Sequence, residues 1–218
     1  MITWVDVMND DDSELPGQHR QNEVVPELNN LIYSNLTKNS AIGPNLKDIL
    51  NSRSGGLLTC CAHGERDELI GYDNKPLIKT GESDISVEYE RIIHLKACWC
   101  ALDLGNYLIR KGCWAFFGYN RRFSFPNDSK FSHLDKLFFY PDEVLAKALA
   151  EGRTAKDAHN LTMKAYEEVE EAIKSQNNPG NYIGLLRINK KGFCSPSTNG
   201  NLYGNKHATI NDGLAVYS

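Results

Sequence analysis

An α/β fold, with a mainly parallel sheet and helices on both faces, is what the amino-acid sequence predicts, and three observations carry the prediction. Apolar runs of strand length recur along the chain, glycines close several of them, and segments with helical spacing separate them. Strands divided by helices favour parallel pairing, because a parallel connection must cross a face of the sheet. With 218 residues, 41% of them hydrophobic and 24% charged, the chain can bury one full core. A single domain over 1–218 is therefore expected, with an irregular tail from about 192.

The first run, "ITWVDVM", reads as a buried strand, and the acidic, proline-containing "NDDDSELPGQHRQNE" after it reads as a loop. "VVPELNNLIYSNL" has apolar residues at helical spacing, with Pro26 tolerable in a first turn. "GLLTCCAHG" is a second core strand opened and closed by glycine, and "LIGYDNKPLI" carries a hairpin signal around Asp73-Asn74, placed outside the main sheet. "ISVEYER" is ambiguous and is read as a short helix leading into the strand "RIIHLKAC". "ALDLGNYLIRKG" predicts a helix stopped by Gly112, and "CWAFFGY" another strand. Two further helices are expected in "PDEVLAKALAEG" and "TAKDAHNLTMKAYEEVEEAIKSQ", the second capped by Thr154, and "NYIGLLRIN" is read as a last strand.

Charge and composition exclude several classes of function. A net charge of −4, from 28 acidic and 24 basic residues with no basic block, disfavours nucleic acid as the partner, since such binding rests on a dense positive surface. No apolar run approaches the roughly 20 residues that span a bilayer. The amino terminus does not resemble a secretory signal, so a cytoplasmic location without membrane attachment is expected. The six cysteines should then stay reduced, with Cys60, Cys61 and Cys113 in the core and Cys100 packed at the start of a helix. His94 falls inside a strand, while His19, His133, His159 and His207 are read as surface residues.

Two strands end on reactive residues: "LLTCCAHG" delivers His63 and "IIHLKAC" delivers Cys98. Functional residues gather beyond the carboxyl ends of parallel strands, where loops share a crevice. If the two strands are neighbours, the imidazole can lower the thiol's pKa or take its proton during attack. Gly64, lacking a Cβ, lets the backbone come close to a substrate, so its N–H and that of Cys98 are candidate oxyanion donors. Side chains repeat every second residue along a strand, which puts Lys96 on the side of Cys98.

A strand ending in His-Gly, a second ending in Ala-Cys, then a helix and a strand such as "CWAFFGY", resembles the caspase-like cysteine peptidases. The likeness is nearest to the CHAT branch, through "FYPDEVLAKALAEGRTAKDAHNLTMKAYEEV", and spans approximately residues 55 to 172. It implies a caspase-like three-layer sandwich and a cysteine endopeptidase with His63 as general base and Cys98 as nucleophile. No metal or organic cofactor is implied. A protein substrate, encoded nearby, is expected, with activation by a partner or by oligomerisation and a role in prokaryotic regulated proteolysis and antiviral defence. Two departures stand out: CHAT members usually carry a small residue where Lys96 stands, and Trp99-Cys100 replaces the small residues that commonly follow the cysteine. In caspases a glutamine at the place of Lys96 helps line the pocket for the residue before the scissile bond (P1), and in metacaspases an aspartate there goes with basic substrates. Lys96, with Arg121 or Arg122, accordingly suggests an acidic or polar P1 residue.

Competing readings use the same residues. A catalytically silent caspase-like module that binds partners would need none of this chemistry. A zinc site from His63, Cys98 and Cys100 has suitable ligands but no CxxC pair. A nucleotide-sensing domain lacks a glycine-rich loop after the first strand. No third residue to orient His63 is evident; Glu65 and Asp67 lie close in sequence, without a case for either.

Overall fold

A computed structural model describes residues 1–82, 90–126, 132–176, 181–198 and 203–211. Strand β1 (Ile2–Asp6) leads into helix α1 (Asp11–His19), one π-helical turn (Arg20–Val24) and a short α2 (Val25–Leu28). Strand β2 (Ile32–Thr37), helix α3 (Gly43–Ser52) and strand β3 (Leu57–Cys61) follow. The hairpin β4 (Glu68–Ile70) and β5 (Pro76–Lys79) forms a separate two-stranded sheet, and β6 (Ile92–Lys96) returns to the main one. After α4 (Asp103–Arg110) and β7 (Ala115–Tyr119) come α5 (Ser132–Ala150), α6 (Ala155–Lys174), α7 (Tyr182–Gly192) and the two-residue β8 (Phe193–Cys194).

The six-stranded sheet runs β2-β1-β3-β6-β7-β8, with every pair parallel except β7 with β8. Alternate side chains of its strands feed two cores. Ile2, Trp4, Leu57, Ile92 and Phe117 pack with residues of α5, α6 and α7, whereas Val5, Leu58, Ile93, Leu95 and Phe116 pack with residues of α3 and α4. A strand buried on both faces reads as a continuous apolar run, which is why β3, β6 and β7 are plain in the sequence. Helix α6 begins on Thr154, whose Oγ1 accepts from the Asp157 N–H at 3.1 Å, and α4 is stopped by Gly112 at φ 101°.

Several expectations need correction. The acidic stretch after β1 is helical: Asp10 caps α1 in a reciprocal capping box with Ser13, and the buried face consists of Ser13, Pro16 and Gly17, so no apolar period announces it. Gly17 packs so closely on Met8 that an added Cβ would stand 2.4 Å from Met8 Cγ. The helix expected in "VVPELNNLIYSNL" stops at Leu28, and the rest becomes edge strand β2 beyond an Asn29-Asn30 turn. Helix α3 has no counterpart among the predicted elements, and α5 starts nine residues before the expected Pro141, which lies inside it. "NYIGLLRIN" forms α7, whose buried residues Leu186, Asn189 and Gly192 recur at helical spacing; the last strand is Phe193–Cys194 instead. A short apolar run does not distinguish strand from buried helix. The short helix read at 85–91 lies outside the described residues apart from its last two positions.

All six cysteines are free, and five are buried. His19 and His159, read as surface residues, are half-buried: His19 contacts Glu143, and His159 Nδ1 lies 2.8 Å from Ser195 Oγ with its ring stacked on Phe193. His207 is exposed. Among the described residues no helix is long and apolar enough to cross a membrane.

Candidate active site

Strands β3 and β6 are parallel neighbours in a register that sets Cys61 opposite Lys96. The Ala62 N–H extends the ladder by donating to the Lys96 carbonyl at 3.3 Å. Two residues further along each chain stand His63 and Cys98, at the same carboxyl edge, and both line one cleft of about 330 Å³. One wall comes from the first turns of α1, through Asp12, Ser13 and Pro16. The opposite wall is the segment from Arg122 to Phe125 that follows β7, and the floor includes Cys61 and Lys96.

Gly64 presses against the backbone of Cys98. A Cβ there would stand 2.5 Å from the Cys98 carbonyl oxygen, 2.9 Å from Ala97 Cβ and 3.4 Å from the Cys98 nitrogen, so only glycine fits. Neighbouring carbonyls hold this turn: Ile70 N–H donates to the His63 carbonyl at 3.0 Å and Glu65 N–H to Glu68 at 2.9 Å. Among the described residues, neither the Gly64 nor the Cys98 N–H donates a backbone hydrogen bond. After Cys98 the chain turns sharply on Trp99, which holds φ at 59° and whose N–H donates to the Arg121 carbonyl at 3.1 Å. A bulky residue in the left-handed region stores strain of order 1–3 kcal/mol, tolerated where the surroundings impose it.

Cys98 is the one cysteine that is not fully buried. Burial nonetheless raises its thiol pKa, against the hydrogen bond with the Phe123 carbonyl (Sγ to O 3.9 Å) and the Arg122 charge, which lower it. The resting group is a thiol, so nucleophilic attack requires a base rather than a ready-made thiolate. Cys61, Cys100 and Cys113 are more strongly affected, their pKa values pushed by burial to about 11, about 12 and about 12.

His63 has a partner that its sequence neighbours did not announce. Its Nε2 lies 2.7 Å and 2.9 Å from the two Asp10 carboxylate oxygens, 53 residues away, while Glu65 and Asp67 make no hydrogen bond to it. Burial pulls the Asp10 carboxyl upward, but hydrogen bonds from His63 and from the Ser13 side chain and backbone outweigh it and hold the group below its ordinary range. The signal in sequence was an aspartate at a helix start three residues before a serine, which marks a cap but names no distant partner.

Lys96 lies beneath the cleft, 3% exposed. Its ammonium makes no hydrogen bond; it stands 3.8 Å from Asp142 Oδ2 and over the rings of Phe139 and Phe123, at 4.1 Å and 5.0 Å. Both arginines are exposed; Arg122 lines the cleft, whereas Arg121 lays its aliphatic stem against Gly192. Cys100 Sγ points away, toward the Leu95 and Ala97 carbonyls and within van der Waals reach of Gly118, so it does not join His63 and Cys98 as a zinc ligand set. Among the described residues no group of three metal-ligating side chains converges.

Below the cleft a buried polar network crosses the same face of the sheet. Arg20 pairs with Asp6 at 3.1 Å and donates to Thr59 Oγ1 at 3.0 Å; Thr59 meets His94 Nδ1 at 3.1 Å. His94 Nε2 reaches Asp142 Oδ1 at 3.0 Å, and Tyr119 donates to Asp142 while sharing a 2.8 Å contact with the Tyr166 hydroxyl.

A scan of protein-family profiles finds no match to this chain, and a search of curated proteins likewise finds none.

Proposed function

We propose that the protein is a cysteine endopeptidase of caspase-like type, in which His63 and Cys98 act as a dyad on a protein substrate. The observation that carries this reading is the lining of one cleft by both side chains, at the carboxyl edge of adjacent parallel strands, with Gly64 pressed on the backbone of Cys98. In the reaction His63 takes the thiol proton as Sγ bonds to the scissile carbonyl carbon, and the oxyanion lies against the Gly64 and Cys98 N–H groups. Collapse breaks the C–N bond, His63 returns the proton to the departing amine, and water attacks the thioester to release the acid and restore the thiol.

Alkylation tests the dyad without knowledge of the substrate. With iodoacetamide at neutral pH, Cys98 reacts at least about tenfold faster than the other five cysteines, and His63→Ala removes most of the advantage. Site-resolved mass spectrometry reads both rates. Because Cys98 is also the least buried of the six, the deciding outcome is the variant: a Cys98 rate unchanged in His63→Ala would favour the catalytically silent, partner-binding module.

Substrate choice is expected to rest on the floor and rim of the cleft, where Lys96 and Arg122 supply positive charge. Peptide libraries should be cut after acidic or polar P1 residues, and Lys96→Met should lower the preference on the order of tenfold. Cleavage mainly after Arg or Lys would refute the assignment of the pocket.

A further inference from the structure

We infer that Asp10 is a positioning residue for His63 and that the amino-terminal turn of α1 thereby sets the state of the site. The inference rests on the dyad reading above. Asp10 reaches the imidazole from a place fixed on several sides. The Val7 N–H donates to the Cys61 carbonyl at 3.0 Å, tying the β1–α1 connection to β3 just before His63. Met8 takes a left-handed backbone, φ 50°, and its side chain packs on Gly17 of the helix that follows. Asn9 Oδ1 accepts from Ser13 Oγ at 2.9 Å, and Asn9 Nδ2 donates to Asn74 Oδ1, in the β4–β5 turn, at 3.2 Å. Asp10 itself accepts from the Ser13 N–H at 3.0 Å as the helix cap.

The chemical consequence follows from which ring nitrogen is engaged. With Nε2 held by a carboxylate, the proton of the neutral imidazole sits on Nε2, and Nδ1 keeps the lone pair that accepts a proton from the thiol. Once Nδ1 is protonated, the same carboxylate faces an imidazolium cation. Asp10 does not touch the reacting atoms. One carboxylate thus serves two ends, the start of a helix and the tautomer of a base, so a displacement of the first turn of α1 would release His63.

The two roles can be separated, because asparagine caps a helix about as well as aspartate but carries no charge. Asp10→Asn is expected to keep the melting temperature of the wild type and to slow iodoacetamide modification of Cys98 about tenfold. In ¹⁵N NMR of the His63 ring it should replace the single Nε2–H tautomer by a mixture. Thr154→Ala, which removes the cap of α6 away from the cleft, should do the reverse, lowering the melting temperature while leaving the alkylation rate and the tautomer unchanged. A wild-type rate and tautomer in Asp10→Asn, with His63→Ala still slow, overturns the role of Asp10 and leaves the dyad standing. The same holds if Thr154→Ala is as slow as Asp10→Asn, since the effect then runs through stability alone. If His63→Ala alkylates as fast as wild type, the dyad fails and Asp10 fails with it.

Discussion

Cys98→Ala is expected to lower peptide hydrolysis by at least about 10³-fold, and His63→Ala by a similar factor. The two losses should not multiply in the double variant, because nucleophile and base act as a unit and either deletion already forfeits covalent catalysis. The residual rate would come from binding and from the Gly64 and Cys98 N–H groups. Co-expression with the products of neighbouring open reading frames, comparing wild type with Cys98→Ala, reads this as a cleaved partner that remains whole in the variant. Cys98 is half-buried and lies outside the strands of the sheet, so the alanine variant should keep the melting temperature of the wild type. Equal cleavage by Cys98→Ala and wild type would end the peptidase proposal.

The largest effect on stability is expected at Asp142, away from the reacting atoms. Its carboxylate is buried, accepts from His94 Nε2 at 3.0 Å and from the Tyr119 hydroxyl at 2.9 Å, and faces the Lys96 ammonium at the longer ion-pair distance of 3.8 Å. Burial pulls its pKa up, yet Lys96, His94 and Tyr119 together hold it below the ordinary value. Asp142→Ala leaves the buried Lys96 cation without its counter-charge and His94 without its acceptor. Removing one partner from a buried pair costs about 3–5 kcal/mol. At roughly 2–4 °C per kcal/mol for a domain of this size, the melting temperature should fall by about 6–20 °C. Asp142→Leu should be destabilised likewise, and Lys96→Met added to Asp142→Leu, which removes the stranded charge, should recover most of that variant's loss, because apolar replacement of a buried pair is often neutral. A loss below about 1 kcal/mol in Asp142→Ala would mean that water reaches the network.

Acid should weaken the same region. His94 is buried and its pKa is lowered, first by desolvation and against the pull of Asp142. Below its ordinary value of 6.5 the unfolded chain takes up a proton that the folded chain refuses, so stability falls as pH drops through that range. Asp142, with a depressed pKa, loses its contribution only at lower pH, as the pH falls through its folded value. Asp6, raised by burial, acts in the opposite sense, so the share of His94 is the difference between wild type and His94→Gln in denaturant titrations.

How much of the molecule is legible in its sequence depends on what each element buries. Strands β1, β3, β6 and β7 put side chains into both cores, and their apolar runs announce them without a partner in view. Helix α1 is silent because it buries serine, proline and glycine, and α7 misleads because a short apolar run has no decisive period. Composition and periodicity report what a segment buries, not where it goes.

The same divide runs through the site. From the sequence alone come the two reactive strand ends, His63-Gly64 and Ala97-Cys98, since the side-chain period and the parallel order place their residues at one edge once the strands pair. Only the tertiary structure decides that Asp10 meets His63, that Lys96 lies buried under the cleft beside Asp142, and that Arg122 rather than Arg121 faces it. The physical reason is range: strand periodicity is local and repeats every two residues, whereas a hydrogen bond between residues 53 positions apart exists only after the chain has closed on itself.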